Sequence, residues 1–106
     1  MAKLLIVDDE AHVRFTLREV LVDAGHAVVE ADGGAAALAL CDDDTDAVIT
    51  DLSMPGMDGL QFLAALRRRD PGLPVILLTA RGSERIAVQA IKAGAYDYWT
   101  KPFDID

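Results

Sequence analysis

The chain has 106 residues and a formal net charge of −8, from 18 acidic and 10 basic side chains, a length that accommodates one domain with its own core and no second. With 52% hydrophobic and 26% charged residues it is far from the composition of a disordered segment and reads as a soluble globular chain. The acidic balance repels phosphate backbones and anionic lipid, so direct binding of this chain to nucleic acid or a membrane surface is not expected, although an attached module could still bind DNA.

In chain order, Lys3 precedes the apolar run Leu4–Val7, which Asp8-Asp9-Glu10 then interrupts. The run is too short for a secretion signal or a membrane span, and it reads as a strand. Val13, Leu17, Val20, Leu21 and Ala24 recur at helical spacing, with Gly25 placed to end that helix. A strand pattern resumes over 26–30, and the Ala/Leu-rich stretch from Gly33 to Cys41 is helical. Cys41, the single cysteine, permits no internal disulfide and belongs to no zinc pattern; it reads as a small buried hydrophobe, and a reducing, cytoplasmic setting is expected. Asp42-Asp43-Asp44 reads as a solvated loop.

Ala47-Val48-Ile49-Thr50 is a continuous apolar strand ending at Asp51. The stretch from Leu52 to Gly59, with Pro55 and Gly56, is a loop, followed by a helix whose inward positions are Leu60, Phe62, Leu63 and Ala64. Arg67-Arg68-Arg69 closes that helix as a solvated end complementing its dipole. After a turn at Pro71–Pro74 come a strand over 75–79, a helix capped by Ser83 with Ile86, Ala87, Ala90 and Ile91 inward, a stop at Gly94 and a last strand over 96–100. Asp104-Ile105-Asp106 looks like a helix start that nothing continues. Five mostly apolar strands separated by four helices imply an α/β fold, a doubly wound parallel sheet covered on both faces.

In such sheets the ligand crevice lies beyond the carboxyl ends of the strands. There the sequence places Asp8 and Asp9 after the first strand, Asp51 after the third, Thr79 at the end of the fourth and Lys101 after the fifth. Clustered carboxylates must take up protons or hold a cation, and hard oxygen donors without a neighbouring Cys or paired His select Mg²⁺ or Mn²⁺ over zinc. A carboxylate beside a metal and a lysine can act as nucleophile on phosphorus, which makes Asp51 the candidate acceptor, with Lys101 neutralising phosphoryl oxygens and Thr79 supplying a hydroxyl.

Four blocks carry a resemblance over essentially the whole chain: 6–10 (Ile-Val-Asp-Asp-Glu), 49–59 (from Ile49 through Asp51, Ser53 and Pro55 to Gly59), Leu78-Thr79-Ala80, and 94–103 (from Gly94 to Phe103). Each block falls at a predicted strand end, and together they resemble the receiver domain of two-component response regulators. The resemblance implies a flavodoxin-like strand order 2-1-3-4-5 and makes Asp51 the phosphorylation site. It makes Asp9 and Asp51 direct Mg²⁺ ligands, with Asp8 acting through metal-bound water and Ser53 lending its backbone carbonyl. Thr79 and Tyr98 become the switch pair, and Lys101 contacts the phosphate. The implied partners are a sensor histidine kinase that donates from a phosphohistidine, and an output module, linked or separate. The ending 101–106 resembles nitrogen-response-type activators, whose receivers precede an ATPase and a DNA-binding module. Receivers of this kind end in a fifth helix, so residues 1–106 read as a receiver domain truncated before it. An exposed apolar patch relieved by homodimerisation or domain exchange is then expected.

Each feature also has a plainer use. Asp8-Asp9 could serve only a helix N-terminus, Asp51 a turn, Thr79 a strand and Lys101 the surface. Tyr98 and Trp99 point to opposite faces of a strand, and Trp99 is expected simply to pack; His12 and His26 fall away from the acidic rim and receive no role. Two rival functions are an aspartyl-phosphate phosphatase of the haloacid dehalogenase type and a receiver-like module that binds a partner without phosphate. The first would need Asp where Ser53 stands. The second would not need all of Asp8, Asp9, Asp51, Thr79 and Lys101. The expectation is therefore a signalling switch that catalyses only its own phosphorylation and dephosphorylation.

Overall fold

The computed structural model describes residues 1–52, 56–57, 59–79 and 84–100; within these, the side chains of Glu84 and Ala87 are not described. Ser53, Ser83, Lys101 and the incipient helix at 104–106 lie outside the described residues.

Strands β1 (Lys3–Val7), β2 (Ala27–Ala31), β3 (Ala47–Asp51), β4 (Val75–Thr79) and β5 (Asp97–Thr100) alternate with helices α1 (Ala11–Asp23), α2 (Gly34–Leu40), α3 (Gly59–Arg69) and α4 (Glu84–Lys92). All strand pairs are parallel, in the order β2-β1-β3-β4-β5, the arrangement expected from the sequence. The central strands are apolar on both faces because both faces are covered: Leu5, Val7, Val48, Val75 and Leu77 join Phe62, Leu63, Leu66 and Ala90 in the larger cluster, and Ile6, Ile49 and Leu78 pack with Val13 and Leu17 of α1 in the smaller. Gly25 and Gly94, at φ +96° and +114°, follow α1 and α4. Both adopt the left-handed conformation in which a glycine ends a helix without steric cost.

Several inward positions differ from those the spacing predicts. In α1, Val13 and Leu17 are buried and Leu21 partly so, whereas Val20 and Ala24 are exposed. In α3 the buried stripe is Phe62, Leu63 and Leu66. Ala64 is exposed because, two residues from Phe62, it lies about 200° around the helix. In α4 Ala90 is fully buried, but Ile86 and Ile91 are exposed. That helix packs on β4 and β5 at the sheet edge, where there is less surface for a wide apolar stripe. Trp99 is also 37% exposed rather than packed. By register it neighbours Leu78, on the face that α1 covers from the β1 and β2 side.

Of the arginine triplet ending α3, Arg68 and Arg69 are exposed, as a solvated helix end implies, but Arg67 and Arg69 also act as tethers. Arg67 donates to the carbonyls of Pro71 (2.6 Å) and Leu73. Arg69 donates to Leu38 (2.6 Å) and Cys41 (3.0 Å), satisfying carbonyls that the end of α2 leaves without helical partners. Cys41 is buried, as expected, but sits just beyond α2 as its C-cap. Asp42 is exposed yet engaged: it accepts from Lys3 Nζ at 2.8 and 3.0 Å and from the Asp44 amide at 3.0 Å. The hydrogen-bonded contact between the two side chains holds the Asp42 carboxyl below its ordinary range and raises the Lys3 ammonium.

Candidate functional site

Ladder register decides which residues meet at the carboxyl rim. Val7 pairs with Thr50 and Thr50 with Leu77, which in turn pairs with Tyr98. One step further along, Asp8 and Asp51 follow on the two neighbouring central strands, so their backbones are about 5 Å apart. Thr79 is one step beyond Leu78, the partner of Asp51, and pairs with Thr100, the residue before Lys101 in sequence. Four segments far apart in the chain thus end at one rim because their strands stop nearly in register.

Asp8 is fully buried and Asp51 is 6% exposed, whereas Asp9 and Glu10 are exposed. Asp8 is fixed from several sides: its amide donates to the Ala31 carbonyl (3.1 Å), and its Oδ1 accepts from the Glu10 amide (2.9 Å) just ahead of α1. The bond from the Glu10 amide closes a turn ahead of the helix and is not a helix cap: α1 starts after Glu10 with no side-chain cap hydrogen bond. Carboxylate oxygens of Asp8, Asp9 and Glu10 lie within 4.8 Å of one another. Glu10 was not singled out from the sequence as a member of this group, although its position after Asp8-Asp9 was the available signal. His12, two residues after Glu10, has a largely exposed side chain whose Nε2 lies 3.3 Å from that carboxylate, and it is not a member of the group. His26 has a structural use, its Nδ1 accepting from the Ala2 amide at 3.1 Å.

Thr79 is fully buried, and its hydroxyl donates to the Trp99 carbonyl of β5 at 3.4 Å. Tyr98, on the same strand, is half-buried against the larger core cluster. The hydroxyl at the rim is therefore tied to the backbone between Tyr98 and Thr100.

The start of α3 is held directly against the end of β3. The Gly59 amide donates to the Leu52 carbonyl at 2.7 Å, and a Cβ on Gly59 would stand only 2.6 Å from both the Asp51 carbonyl oxygen and Leu52 Cα. Only a residue without a side chain lets α3 start this close to the end of β3. The donor set of the rim is carboxylate oxygen with no sulfur and no paired imidazole among the described residues, which fits a hard divalent cation such as Mg²⁺.

Residues 4–106 match the family described as response regulator receiver domain. The chain is 43% identical over 102 residues to the DNA-binding transcriptional regulator NtrC of Escherichia coli, a match covering 95% of this chain and 22% of NtrC. It is 45% identical over 104 residues to the response regulator protein FleR of Pseudomonas aeruginosa, covering 97% and 22%. The chain thus spans about a fifth of the length of these relatives. Among solved structures it resembles a response regulator receiver domain protein from Clostridium thermocellum, with a TM-score of 0.93 at 32% identity over 98% of this chain and 85% of that one. It likewise resembles the receiver domain of NtrX from Brucella abortus, with a TM-score of 0.91 at 36% identity, covering 95% and 87%. With a family match over nearly its entire length and solved receiver domains of the same fold, the chain belongs to the response regulator receiver domain family.

Proposed function

We propose that this receiver domain accepts a phosphoryl group on Asp51 from a phosphohistidine of a sensor kinase and passes the change to an output module. The observation that carries this reading is the placement of Asp51, nearly buried at the end of a central strand, beside fully buried Asp8. Burying two carboxyls at the ends of neighbouring strands is costly, and a site that takes up a cation and a phosphoryl group fits this placement.

In this reading a carboxylate oxygen of Asp51 attacks the phosphorus. The new O–P bond forms as the N–P bond breaks, the electron pair of that bond returns to the imidazole, and an acyl phosphate is left on Asp51. Asp8, Asp9 and Asp51, with the Ser53 carbonyl, would hold Mg²⁺, whose chemistry is to neutralise charge on phosphoryl oxygens. The Lys101 ammonium pairs with the same oxygens. Thr79 redirects its hydroxyl from the Trp99 carbonyl to the phosphate, which releases a restraint on β5 and lets Tyr98 and the face of α4 and β5 repack. The phosphate thus stabilises one of two packings. Water later takes the phosphoryl group from Asp51, so the domain catalyses only its own modification and its reversal. The output is a DNA-binding module of the kind named for NtrC, and the setting is the cytoplasm; no helix among the described residues is long and apolar enough to cross a membrane.

The test is incubation with radiolabelled acetyl phosphate and Mg²⁺. The expected result is a hydroxylamine-labile label on the wild-type chain that chelation of the metal prevents and Asp51→Asn abolishes. Undiminished labelling of Asp51→Asn would place the acceptor elsewhere, and no labelling of the wild type by acetyl phosphate or by a phosphorylated kinase would favour a phosphate-independent binding module.

A further inference from the structure

Besides its acidic side chains, the rim is touched by one cation from α1. Arg14 donates from Nη1 to the Asp8 carbonyl oxygen at 2.6 Å, while its Nε lies 3.4 Å from Glu30 Oε1 on β2. Arg18, one helical turn later, donates to the other Glu30 oxygen at 3.0 Å. Glu30 is therefore shared, but the two arginines differ in reach. The Arg14 side chain is 19% exposed and spans from β2 to the rim; that of Arg18 is 47% exposed and makes its bond at Glu30.

The Asp8 carbonyl belongs to the rigid peptide plane that joins Asp8 to Asp9. The amide of Asp8 is already fixed by Ala31 and its carboxylate by the Glu10 amide. Binding the carbonyl as well removes the remaining freedom of this plane and sets the direction in which the chain leaves for Asp9, the exposed carboxylate of the pair. A planar guanidinium clamped by Glu30 can hold both contacts at once; an ammonium, a point charge on a flexible stem, cannot.

We propose that Arg14, oriented by Glu30, is a positioning residue that sets the Asp8–Asp9 peptide so that both carboxylates face one divalent cation. This rests on reading the acidic rim as the cation site. Removing the arginine outright would also remove a positive charge that repels a cation, so the decisive variant is Arg14→Lys, which keeps the charge and loses the fork. Mn²⁺ binding is followed by the electron paramagnetic resonance signal of the free ion, together with the carbonyl ¹³C resonance of Asp8 in the metal-free chain. Arg14→Lys should weaken Mn²⁺ binding about 10-fold and shift the Asp8 resonance, whereas Arg18→Lys, which disturbs the same Glu30, should stay within about twofold of wild type and leave the resonance in place. Equal Mn²⁺ affinities in wild type, Arg14→Lys and Arg18→Lys would overturn the proposal and leave Arg14 as a brace between α1 and β2, with the cation site itself intact. A wild-type chain that takes up no Mn²⁺ would remove the cation site and this role together.

Discussion

Replacing Gly59 by alanine sets two effects against each other, and the structure decides the sign. Alanine near the start of a helix lowers the entropy of the unfolded chain and improves helix propensity, a gain of about 0.4–1 kcal/mol. Against this, the added Cβ would stand 2.6 Å from the Asp51 carbonyl oxygen, 2.6 Å from Leu52 Cα and 2.9 Å from the Leu52 carbonyl oxygen. All three are backbone atoms at the end of a central strand, so no side-chain rotation relieves the overlap, and α3 and β3 must separate by several tenths of an ångström. Overpacking of this kind costs about 1–3 kcal/mol. The net expectation is destabilisation of about 1–2 kcal/mol, read as a lower urea midpoint at unchanged slope. Because one of the displaced atoms is the carbonyl oxygen of Asp51 itself, labelling by acetyl phosphate should slow by about 10-fold or more. Gly72→Ala is the control: it also removes a glycine, but its Cβ would meet only Asp70 Oδ1 at 3.7 Å, so about 0.4–1 kcal/mol of stabilisation is expected. If Gly59→Ala proves as stable as wild type and labels at the same rate, the close approach of α3 to β3 does not hold the acceptor in place.

Three further outcomes are expected. Arg69→Gln removes the guanidinium that holds the Leu38 and Cys41 carbonyls and should cost about 1 kcal/mol in urea unfolding, with no change in labelling at Asp51. Thr79→Ala should still be phosphorylated, but the Tyr98 ring resonances should no longer respond to phosphorylation; a full response would take the switch away from Thr79. The contact between Lys3 and Asp42 should stabilise the fold only in a bounded pH range. The depressed Asp42 carboxyl contributes above its ordinary range near pH ~4 and loses that contribution as the pH falls below it, while the raised Lys3 ammonium contributes until the pH climbs past about 10.5. Urea melts of Asp42→Asn should therefore lie below wild type at pH 7 and approach it as the pH falls below the ordinary carboxylate range; a difference that does not change with pH would show that the contact with Lys3 is not the source.

The element sequence was legible because the central strands are short apolar runs with helices over both faces and the helices carry their own period, whereas the strand order was legible only through the family resemblance. Faces were less legible. A helical period names the residues that could turn inward, but the width of the buried stripe depends on what lies beneath. Over β1 and β2, α1 buries Val13 and Leu17; at the sheet edge, α4 buries Ala90 while leaving Ile86 and Ile91 in solvent. The arginine triplet was legible in part. Its charge and position suggest a solvated helix end, and Arg68 and Arg69 are exposed, but Arg69 reaches the carbonyls of Leu38 and Cys41, set 31 and 28 residues away in the chain, which no local pattern reveals.

The candidate site was legible to the extent that it is built from strand ends. Asp8, Asp51 and Thr79 each close an apolar run, and a parallel sheet with strands ending in register has to bring them together. What the sequence could not supply is the set of contacts that turn a shared rim into a geometry: Arg14 on the Asp8 carbonyl, the Thr79 hydroxyl on the Trp99 carbonyl, and Gly59 against the backbone of Asp51. All three bind main chain rather than side chain. Residue type carries little information about such contacts, since every residue offers the same carbonyl, and only the path of the chain decides which one is within reach. They also share a consequence. Because they grip the backbone at the ends of β1, β3 and β5, a change at the acidic cluster has to move peptide groups and not merely rotamers, and peptide groups at strand ends are continuous with the rest of the sheet. A phosphoryl group that takes the Thr79 hydroxyl away from β5 would thus act on the position of that edge strand, which is the strand that carries Tyr98.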